Sequence, residues 1–201
     1  MKYLKDNCVF YKMTPELVAK CGEFSCSKSK DIDDFFHKEY SLYEEAAMCV
    51  SYCFVHKVDK KLVAAFALSM TSITVKDSRV DSESIQSAIN PNLTKNHYPA
   101  ALLGQLAVFD GYNGMNLSAE VINFIKTELK LCDSNSFIVN NHFNNIGCRF
   151  IKVDAVNHPK VIKIYEEAGF KPIFLNKAER RTNISEPKTK GMFFDLYQIK
   201  I

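Results

Sequence analysis

The feature that most constrains the fold is the order of three segments in the middle of the chain. Residues 102–109 form a nearly continuous apolar run, the composition of a strand that is covered on both faces. A short polar loop, Asp110 to Asn116, follows this run. Apolar side chains then recur every three or four residues from Leu117 to Leu129, which predicts an amphipathic helix. The sequence therefore predicts a central strand that passes directly into a helix.

The segments before this unit predict helices and a hairpin. Thr14 can cap a helix whose first position suits Pro15. Asp31 is a candidate cap for a second helix, whose apolar face would carry Ile32, Phe35, Phe36, Tyr40, Tyr43 and Ala47. Residues 49–56 and 62–75 are rich in β-branched and aromatic side chains around a polar turn, which predicts two antiparallel strands.

The segments after the unit alternate between strand and helix. Residues 150–156 predict a strand, and Asn157 can cap a helix that runs to residue 168 and stops at Gly169. Two last strands are predicted over 170–175 and 192–199. The polar segments 76–96, 132–147 and 176–190 are predicted connections. The expected fold is α/β, or α+β by some schemes: a mixed, mostly antiparallel twisted sheet of six or seven strands flanked by helices, in one domain over 1–201.

Composition narrows the setting and the chemistry. The 7 cysteines are an odd number and form no CxxC pair, and no stretch approaches the ~20 apolar residues of a membrane span. The first residues have no apolar run typical of a secretory signal. We therefore expect a cytoplasmic protein with free thiols and no membrane contact. The net charge of +3 is too small to indicate nucleic acid by itself, and the histidines show no metal-ligand spacing, so we expect no metal.

The loop between the central strand and its helix is a candidate anion site. The first turn of a helix leaves backbone N–H groups unpaired, and these groups favour phosphate. Gly111, Gly114, Asn113 and Asn116 can adopt positive φ, so the backbone could curve around such a ligand. The loop has neither the Lys-Ser or Lys-Thr of a P-loop nor a G-x-G-x-x-G. An ordinary strand-to-helix turn remains the alternative.

Four motifs together resemble a known superfamily. They are Gly104-Gln-Leu-Ala-Val108, Tyr112-Asn-Gly-Met-Asn-Leu-Ser118, Val153-Asp-Ala-Val-Asn157 and Ile164-Tyr-Glu-Glu-Ala-Gly-Phe170. They are similar to motifs of the GNAT superfamily of acetyl-CoA-dependent N-acetyltransferases. In the first half, Phe24-Ser-Cys26 and Asp31-Ile-Asp-Asp-Phe-Phe36 resemble a subgroup that contains toxins of toxin–antitoxin pairs, which acetylate aminoacyl-tRNA.

The resemblance implies acetyl-CoA as co-substrate. The family's pyrophosphate motif maps onto Asn113, Asn116 and Ser118, and all three depart from its usual residues. Because the backbone donors come from the fold, these departures bear on affinity for CoA more than on the existence of the site. The resemblance implies that main chain from Leu106 to Val108 pairs with the pantetheine arm and that loop amides hold the pyrophosphate. The implied cofactor-binding set is Leu106, Ala107, Val108, Asn113, Gly114, Met115, Asn116, Leu117, Ser118 and Asn157.

Tyr165 matches the family's general acid toward the departing CoA thiolate. From spacing alone, Tyr165 could equally be a core aromatic and Asn157 only a helix cap. A phenol with pKa near 10 and a thiol with pKa near 8.5 make full proton transfer uphill by roughly 2 kcal/mol. Hydrogen bonding to the developing charge is therefore an alternative role for Tyr165.

The resemblance implies direct attack of a primary amine on the thioester in a ternary complex. Candidate bases for the amine are Asp154, His97, Glu44 and Glu45, each of which could instead be a surface or capping residue. Two other functions remain open: a toxin that acetylates aminoacyl-tRNA and has an antitoxin partner, and a non-catalytic CoA-binding or interaction module. Arg149 and the basic 176–190 linker could form an RNA-binding rim. The sequence leaves open the acceptor, the general base and a homodimer.

Overall fold

A computed structural model describes residues 2–74, 97–130, 147–173 and 187–199. The chain divides into two compact units, and the prediction of one domain over 1–201 stays a prediction. The first unit comprises Met1–Ser69 and Leu103–Ile125, and the second comprises Met70–Leu102 and Lys126–Ile201.

The fold is built on a mixed seven-stranded sheet flanked by helices, as predicted. The strand order is β1-β2-β3-β4-β5-β7-β6. Neighbours β1 and β2, β2 and β3, β5 and β7, and β6 and β7 are antiparallel, which confirms the predicted hairpin of β2 and β3. The strands are β1 Cys8–Lys12, β2 Val50–His56, β3 Leu62–Thr74, β4 His97–Val108, β5 Phe150–Val156, β6 Lys171–Pro172 and β7 Thr189–Asp195.

Short helices lie before β1 and between β1 and β2, and two longer ones follow β4 and β5. They are α1 Tyr3–Asn7, α2 Pro15–Cys21, α3 Lys30–Asp34, a π-helix Phe35–Glu39, α4 Tyr40–Glu45, α5 Leu117–Lys130 and α6 Pro159–Glu167, with a 3-10 turn Leu196–Gln198 after β7. Among the described residues, no helix combines the length and apolar character that crossing a membrane requires.

The core of the first unit lies between α2, α3, the π-helix and strands β2 to β4. Phe35, Phe36 and Tyr40 are buried in this core together with Phe109, which directly follows β4. The π-helix changes the rotation per residue inside a segment predicted as one regular helix. Tyr43 is therefore 39% exposed, although the 3.6-residue period places it on the buried face.

The second unit has its own apolar cluster. Phe150 and Phe193 pack edge-on across β5 and β7, and Ile73 and Ala100 complete the cluster. Arg149 makes an ion pair with the buried Asp195, with Nε 2.9 Å from Oδ1. The guanidinium also lies 4.5 Å from the centre of the exposed Tyr197 ring, so the end of β7 is fixed by both contacts.

Helix ends show where local prediction succeeds and where it is wrong. Thr14 caps α2, because its hydroxyl accepts from the Leu17 amide at 3.2 Å. Asp31 is not a cap, since α3 begins at Lys30 and Asp31 lies in its first turn. Asn157 is also not the cap of α6: His158 occupies that position, and its ring nitrogen accepts from the Lys160 amide at 3.3 Å.

The predicted ends of several strands also change. The central strand begins at His97, earlier than residue 102. Of the predicted strand 170–175, only Lys171–Pro172 is a described strand. The predicted strand 192–199 is β7 from Thr189 and then a 3-10 turn, so it begins earlier and ends at Asp195. The connections predicted over 76–96, 132–147 and 176–190 lie outside the described residues for nearly all of their length.

Candidate functional site

The loop from Asp110 to Asn116 joins β4 to α5 in the first unit. The amide of Phe109 donates to the Val63 carbonyl at 3.0 Å, which fixes the end of the strand beside β3. Beyond it, φ is +91° at Gly111, +86° at Gly114 and +55° at Asn116. Three of the four residues expected to tolerate positive φ therefore adopt it, while Asn113 does not. These left-handed residues curve the chain just before α5 begins.

The tip of this loop presents unpaired backbone donors. Gly114, Met115 and Asn116 are exposed. Among the described residues, the amides of Gly114 and Asn116 have no hydrogen-bond acceptor. The next amides belong to the first turn of α5, where the helix itself supplies no acceptor. Leu117 is buried in the core, so only its backbone is available to a ligand.

One face of β4 leading to the loop is only partly covered. Leu103, Ala107 and Phe109 point to one side and are buried. On the other side Gly104 is exposed, and Leu106 and Val108 are half-buried. The prediction that this strand is covered on both faces is therefore wrong for this stretch. The partly open face of β4 and the unpaired amides of the loop are therefore neighbours along the chain.

Two carboxylates hold the base of the loop. The Asp110 carboxylate accepts from the Ser25 hydroxyl at 2.7 Å, from the Ser27 amide at 3.0 Å and from the Asn113 side chain at 2.9 Å. These donors, led by Ser25, lower the pKa of Asp110 to about 2. The Tyr112 hydroxyl donates to Asp59 at 3.4 Å in the turn between β2 and β3.

Tyr165 lies in α6 in the second unit. Its side chain is 8% exposed and packs edge-on against Phe170, with 5.4 Å between ring centres. Burial raises the pKa of the phenol to about 12. Among the described residues, the Tyr165 hydroxyl has no hydrogen-bond partner, and its role toward the CoA thiolate stays a prediction. The ring takes part in packing as well, which the sequence had offered only as the alternative role.

The backbone around Tyr165 forms a Schellman C-cap. The Phe170 amide donates to the Tyr165 carbonyl at 2.9 Å, and the Gly169 amide donates to the Glu166 carbonyl at 2.8 Å. Gly169 has a φ of +80°, and the Tyr165 and Phe170 rings supply the apolar contact that accompanies this motif. Much of the Tyr-Glu-Glu-Ala-Gly-Phe motif is thus explained by how α6 ends.

Asn157 lies at the start of α6. Its side-chain amide donates to the Pro187 carbonyl at 2.9 Å, and its backbone amide donates to the Lys188 carbonyl at 2.8 Å. These bonds connect β5 to the segment that precedes β7. The predicted loop and β4 residues therefore lie in the first unit, and Tyr165 and Asn157 lie in the second. The role of Asn157 toward CoA stays a prediction.

Lys126 is a buried charged residue that none of the predicted motifs includes. It is 7% exposed, and its ammonium donates to the Ala168 carbonyl at the end of α6. The ammonium lies 3.9 Å from the centre of the Phe194 ring, and burial lowers its pKa to about 8. Lys126 follows Ile122 by four residues and precedes Leu129 by three, so its place on the apolar face of α5 could have revealed it.

The candidate bases occupy different environments. Glu44 forms an ion pair with Lys12, and Asp154 lies 3.7 Å from the Lys152 ammonium. Glu45 and His97 are exposed at the end of α4 and the start of β4. Their assignment as bases stays a prediction. Over the described ranges, no group of three or more His, Cys, Asp or Glu residues could hold a metal ion.

Comparisons with known proteins give matches at the level of structure. No protein-family model matches the chain, and no curated protein matches it in sequence. Among solved structures, AtaT complexed with acetyl-methionyl-tRNAfMet is 15% identical, with a TM-score of 0.67 over 95% of this chain and 96% of that chain.

Two further solved structures are similar over the same length. A tyrosine-to-phenylalanine mutant of KacT is 13% identical, with a TM-score of 0.68 over 95% of this chain and 96% of that one. AtaTR bound with AcCoA is 14% identical, with a TM-score of 0.60 over 96% and 95% of the two chains. At these identities the likeness establishes the fold, and it confirms the predicted architecture: the chain has a GNAT-like α/β fold.

Proposed function

We propose that the chain is an N-acetyltransferase that transfers acetyl from acetyl-CoA to a primary amine. The observation that carries this proposal is the half-covered face of β4, which leads into a loop with exposed, unpaired amides at Gly114 and Asn116. A pantetheine arm is an extended chain with amides, and the diphosphate that follows it is an anion. The loop and the helix start supply backbone donors for the diphosphate, and the open face of β4 leaves room for the arm beside them.

The loop binds the diphosphate through backbone rather than through side-chain charge. Residues 111–118 contain no Lys or Arg, so the donors are the amides from Gly114 to Ser118 and the side chains of Asn113 and Asn116. Asn116 has a φ of +55° at a position where the family has glycine, and asparagine tolerates this conformation better than most residues. The departure from the family's motif therefore leaves the backbone path of the site intact.

Tyr165 donates a hydrogen bond to the sulfur as the thioester breaks. The amine nitrogen attacks the acetyl carbon, the carbon–sulfur bond breaks, and the sulfur leaves with the electron pair of that bond. The buried phenol has a pKa of about 12, so its proton moves to a thiolate less readily than that of an ordinary tyrosine. We infer stabilisation of the developing charge by the hydroxyl, with the proton lost by the amine available to the thiolate.

The solved neighbours favour aminoacyl-tRNA as the acceptor. AtaT is complexed with acetyl-methionyl-tRNAfMet, and another structure contains an AtaT mutant toxin bound to the C-terminus of the antitoxin AtaR. An α-amino group has a pKa near 8 and needs less help from a base than a lysine near 10.4. An acceptor that needs little help from a base agrees with the candidate bases, none of which has contacts that mark it as the base. By this second proposal, the chain is a toxin with an antitoxin partner.

Calorimetric titration with acetyl-CoA tests the proposed site. Gly114→Ala forces a Cβ onto a residue with φ +86° in the loop, and Gly22→Ala does the same at φ +72° after α2. Neither added Cβ meets an atom within 4 Å, so neither variant introduces a steric clash with another residue. We expect Gly114→Ala to weaken binding about tenfold and Gly22→Ala to leave it unchanged. No binding by the unaltered chain, or equal losses in both variants, would contradict the proposal.

A further inference from the structure

We propose that Asp110 is a positioning residue that holds the 110–118 loop in its curved conformation by tying it to the 24–27 segment. The inference rests on the proposed function for its consequence, acetyl-CoA affinity. The loop must keep several amides aimed at one anion, and four of its nine residues are glycine or asparagine. A chain of that composition is costly to order unless something outside the loop fixes it.

The contacts of Asp110 fix the loop to residues outside it. Oδ2 accepts from the Ser25 hydroxyl and the Ser27 amide, while Oδ1 accepts from the side chain of Asn113 within the loop. The backbone amide of Asp110 also donates to the Ser25 carbonyl at 2.8 Å. One carboxylate thus joins the first residues of the loop to a segment that is distant in sequence.

The 24–27 segment is itself fixed to α3 and the π-helix. The Cys26 amide donates to Asp33 at 2.5 Å, and the His37 ring nitrogen donates to the Phe24 carbonyl at 3.0 Å. The rings of Phe24 and His37 stack with 4.1 Å between their centres, and Phe24 also packs against Phe109 at 4.8 Å. Because its other contacts are made by packed elements, the segment can serve as a rigid partner for the loop.

The charge of Asp110 separates a positioning role from a purely electrostatic one, because the two predict opposite changes in acetyl-CoA affinity. A carboxylate this close to a diphosphate site repels the ligand, so an effect of charge alone predicts tighter binding when it is removed. A positioning role predicts weaker binding, because Asp110→Asn loses an acceptor and places an NH2 group where two donors converge. The three donors to the Asp110 carboxylate partly offset its charge, which is how a carboxylate is tolerated at this place.

The experiment combines hydrogen–deuterium exchange on the ligand-free chain with acetyl-CoA affinity. Asp110→Asn and Ser25→Ala are compared with the unaltered chain. Asp34→Asn is the control, since Asp34 at the end of α3 pairs with Lys38 of the π-helix instead. We expect faster exchange in 110–118. The affinity for acetyl-CoA should be about tenfold weaker for Asp110→Asn and about threefold weaker for Ser25→Ala, and kcat at saturating acetyl-CoA should be unchanged. The control should match the unaltered chain in all three.

Two results would overturn the proposal: exchange in 110–118 that is the same in Asp110→Asn as in the unaltered chain, or tighter acetyl-CoA binding in that variant. If the unaltered chain does not bind acetyl-CoA, the proposed function fails. The exchange comparison then still decides whether Asp110 holds the loop. The failure of one proposal is therefore distinguishable from the failure of the other.

Discussion

Tyr165 combines a packing role with a free hydroxyl. Tyr165→Phe keeps the ring that packs against Phe170 and removes only the hydroxyl, which has no partner among the described residues. We therefore expect an unchanged midpoint of thermal unfolding and a kcat lowered by about 10² to 10⁴. The readouts are release of the CoA thiol and circular dichroism. Near-normal turnover would remove Tyr165 from the mechanism.

Lys126 makes the stability of the chain depend on pH. Its pKa is about 8 in the folded chain, below the ordinary value of 10.5, because burial disfavours the ammonium. Between these two values the unfolded chain binds more protons, so the contribution of Lys126 to the free energy of unfolding rises with pH across this window. At pH 7 the charged form is buried at a cost, which the Ala168 carbonyl and the Phe194 ring offset in part.

Lys126→Met tests this dependence. We expect the variant to be as stable as the unaltered chain or more stable at pH 7, and to lose the rise in stability between pH 8 and 10.5. Urea unfolding at several pH values measures both effects. Lys130→Met, one turn further along α5, is the control for removing a lysine from this helix, because Lys130 is half-buried rather than buried. A rise in stability between pH 8 and 10.5 that persists in Lys126→Met would contradict the assignment.

At the scale of elements, the end of α6 depends on Gly169. A Cβ at this residue would lie 3.3 Å from Cε2 of Phe194, and φ is +80°. Gly169→Ala should therefore lower the free energy of unfolding by about 1–2 kcal/mol. Gly191→Ala is a matched control in the same unit, since its Cβ meets atoms only at 3.5 Å or more and its φ is not left-handed. Equal urea midpoints for the two variants would contradict the Schellman cap.

The sequence predicted those elements that depend on residues close together in the chain. Thr14 with Pro15 identified the start of α2, and the apolar period from Leu117 identified α5. The π-helix has no such local signal, since the apolar spacing of its segment is that of a regular helix. The cap of α6 was misplaced by one residue because Asn157 and His158 can both accept from a helix amide. The partner of Asn157, the Pro187 carbonyl, comes from a distant segment.

At the scale of the whole molecule, the sequence predicted the sheet and its flanking helices but could not give the order of strands. That order places β7 between β5 and β6, a long-range arrangement that propensity does not encode. The loop residues of the candidate site were predictable because a strand, a loop and a helix follow each other. The role of the 24–27 segment was not predictable, since its contact with the loop is distant in sequence. The position of Lys126 on the apolar face of α5 was predictable, but its contact with the Ala168 carbonyl was not.

The toxin proposal predicts a phenotype of the whole chain. Induced expression of the unaltered chain in bacteria should arrest growth, and equal expression of Tyr165→Phe should not. Acetylated aminoacyl-tRNA should accumulate only in the arrested cells, which separates transfer to tRNA from arrest by aggregation. Normal growth with acetyl-CoA-dependent activity on small amines would leave the acetyltransferase proposal standing and remove the toxin.

The most direct test of the central claim is release of the CoA thiol from acetyl-CoA by the purified chain, measured over a panel of amines that includes aminoacyl-tRNA. The account predicts release that depends on one class of amine, saturates with acetyl-CoA and yields the acetylated amine. Binding of acetyl-CoA without release against any amine would leave only a CoA-binding module. The absence of both binding and release would contradict the account.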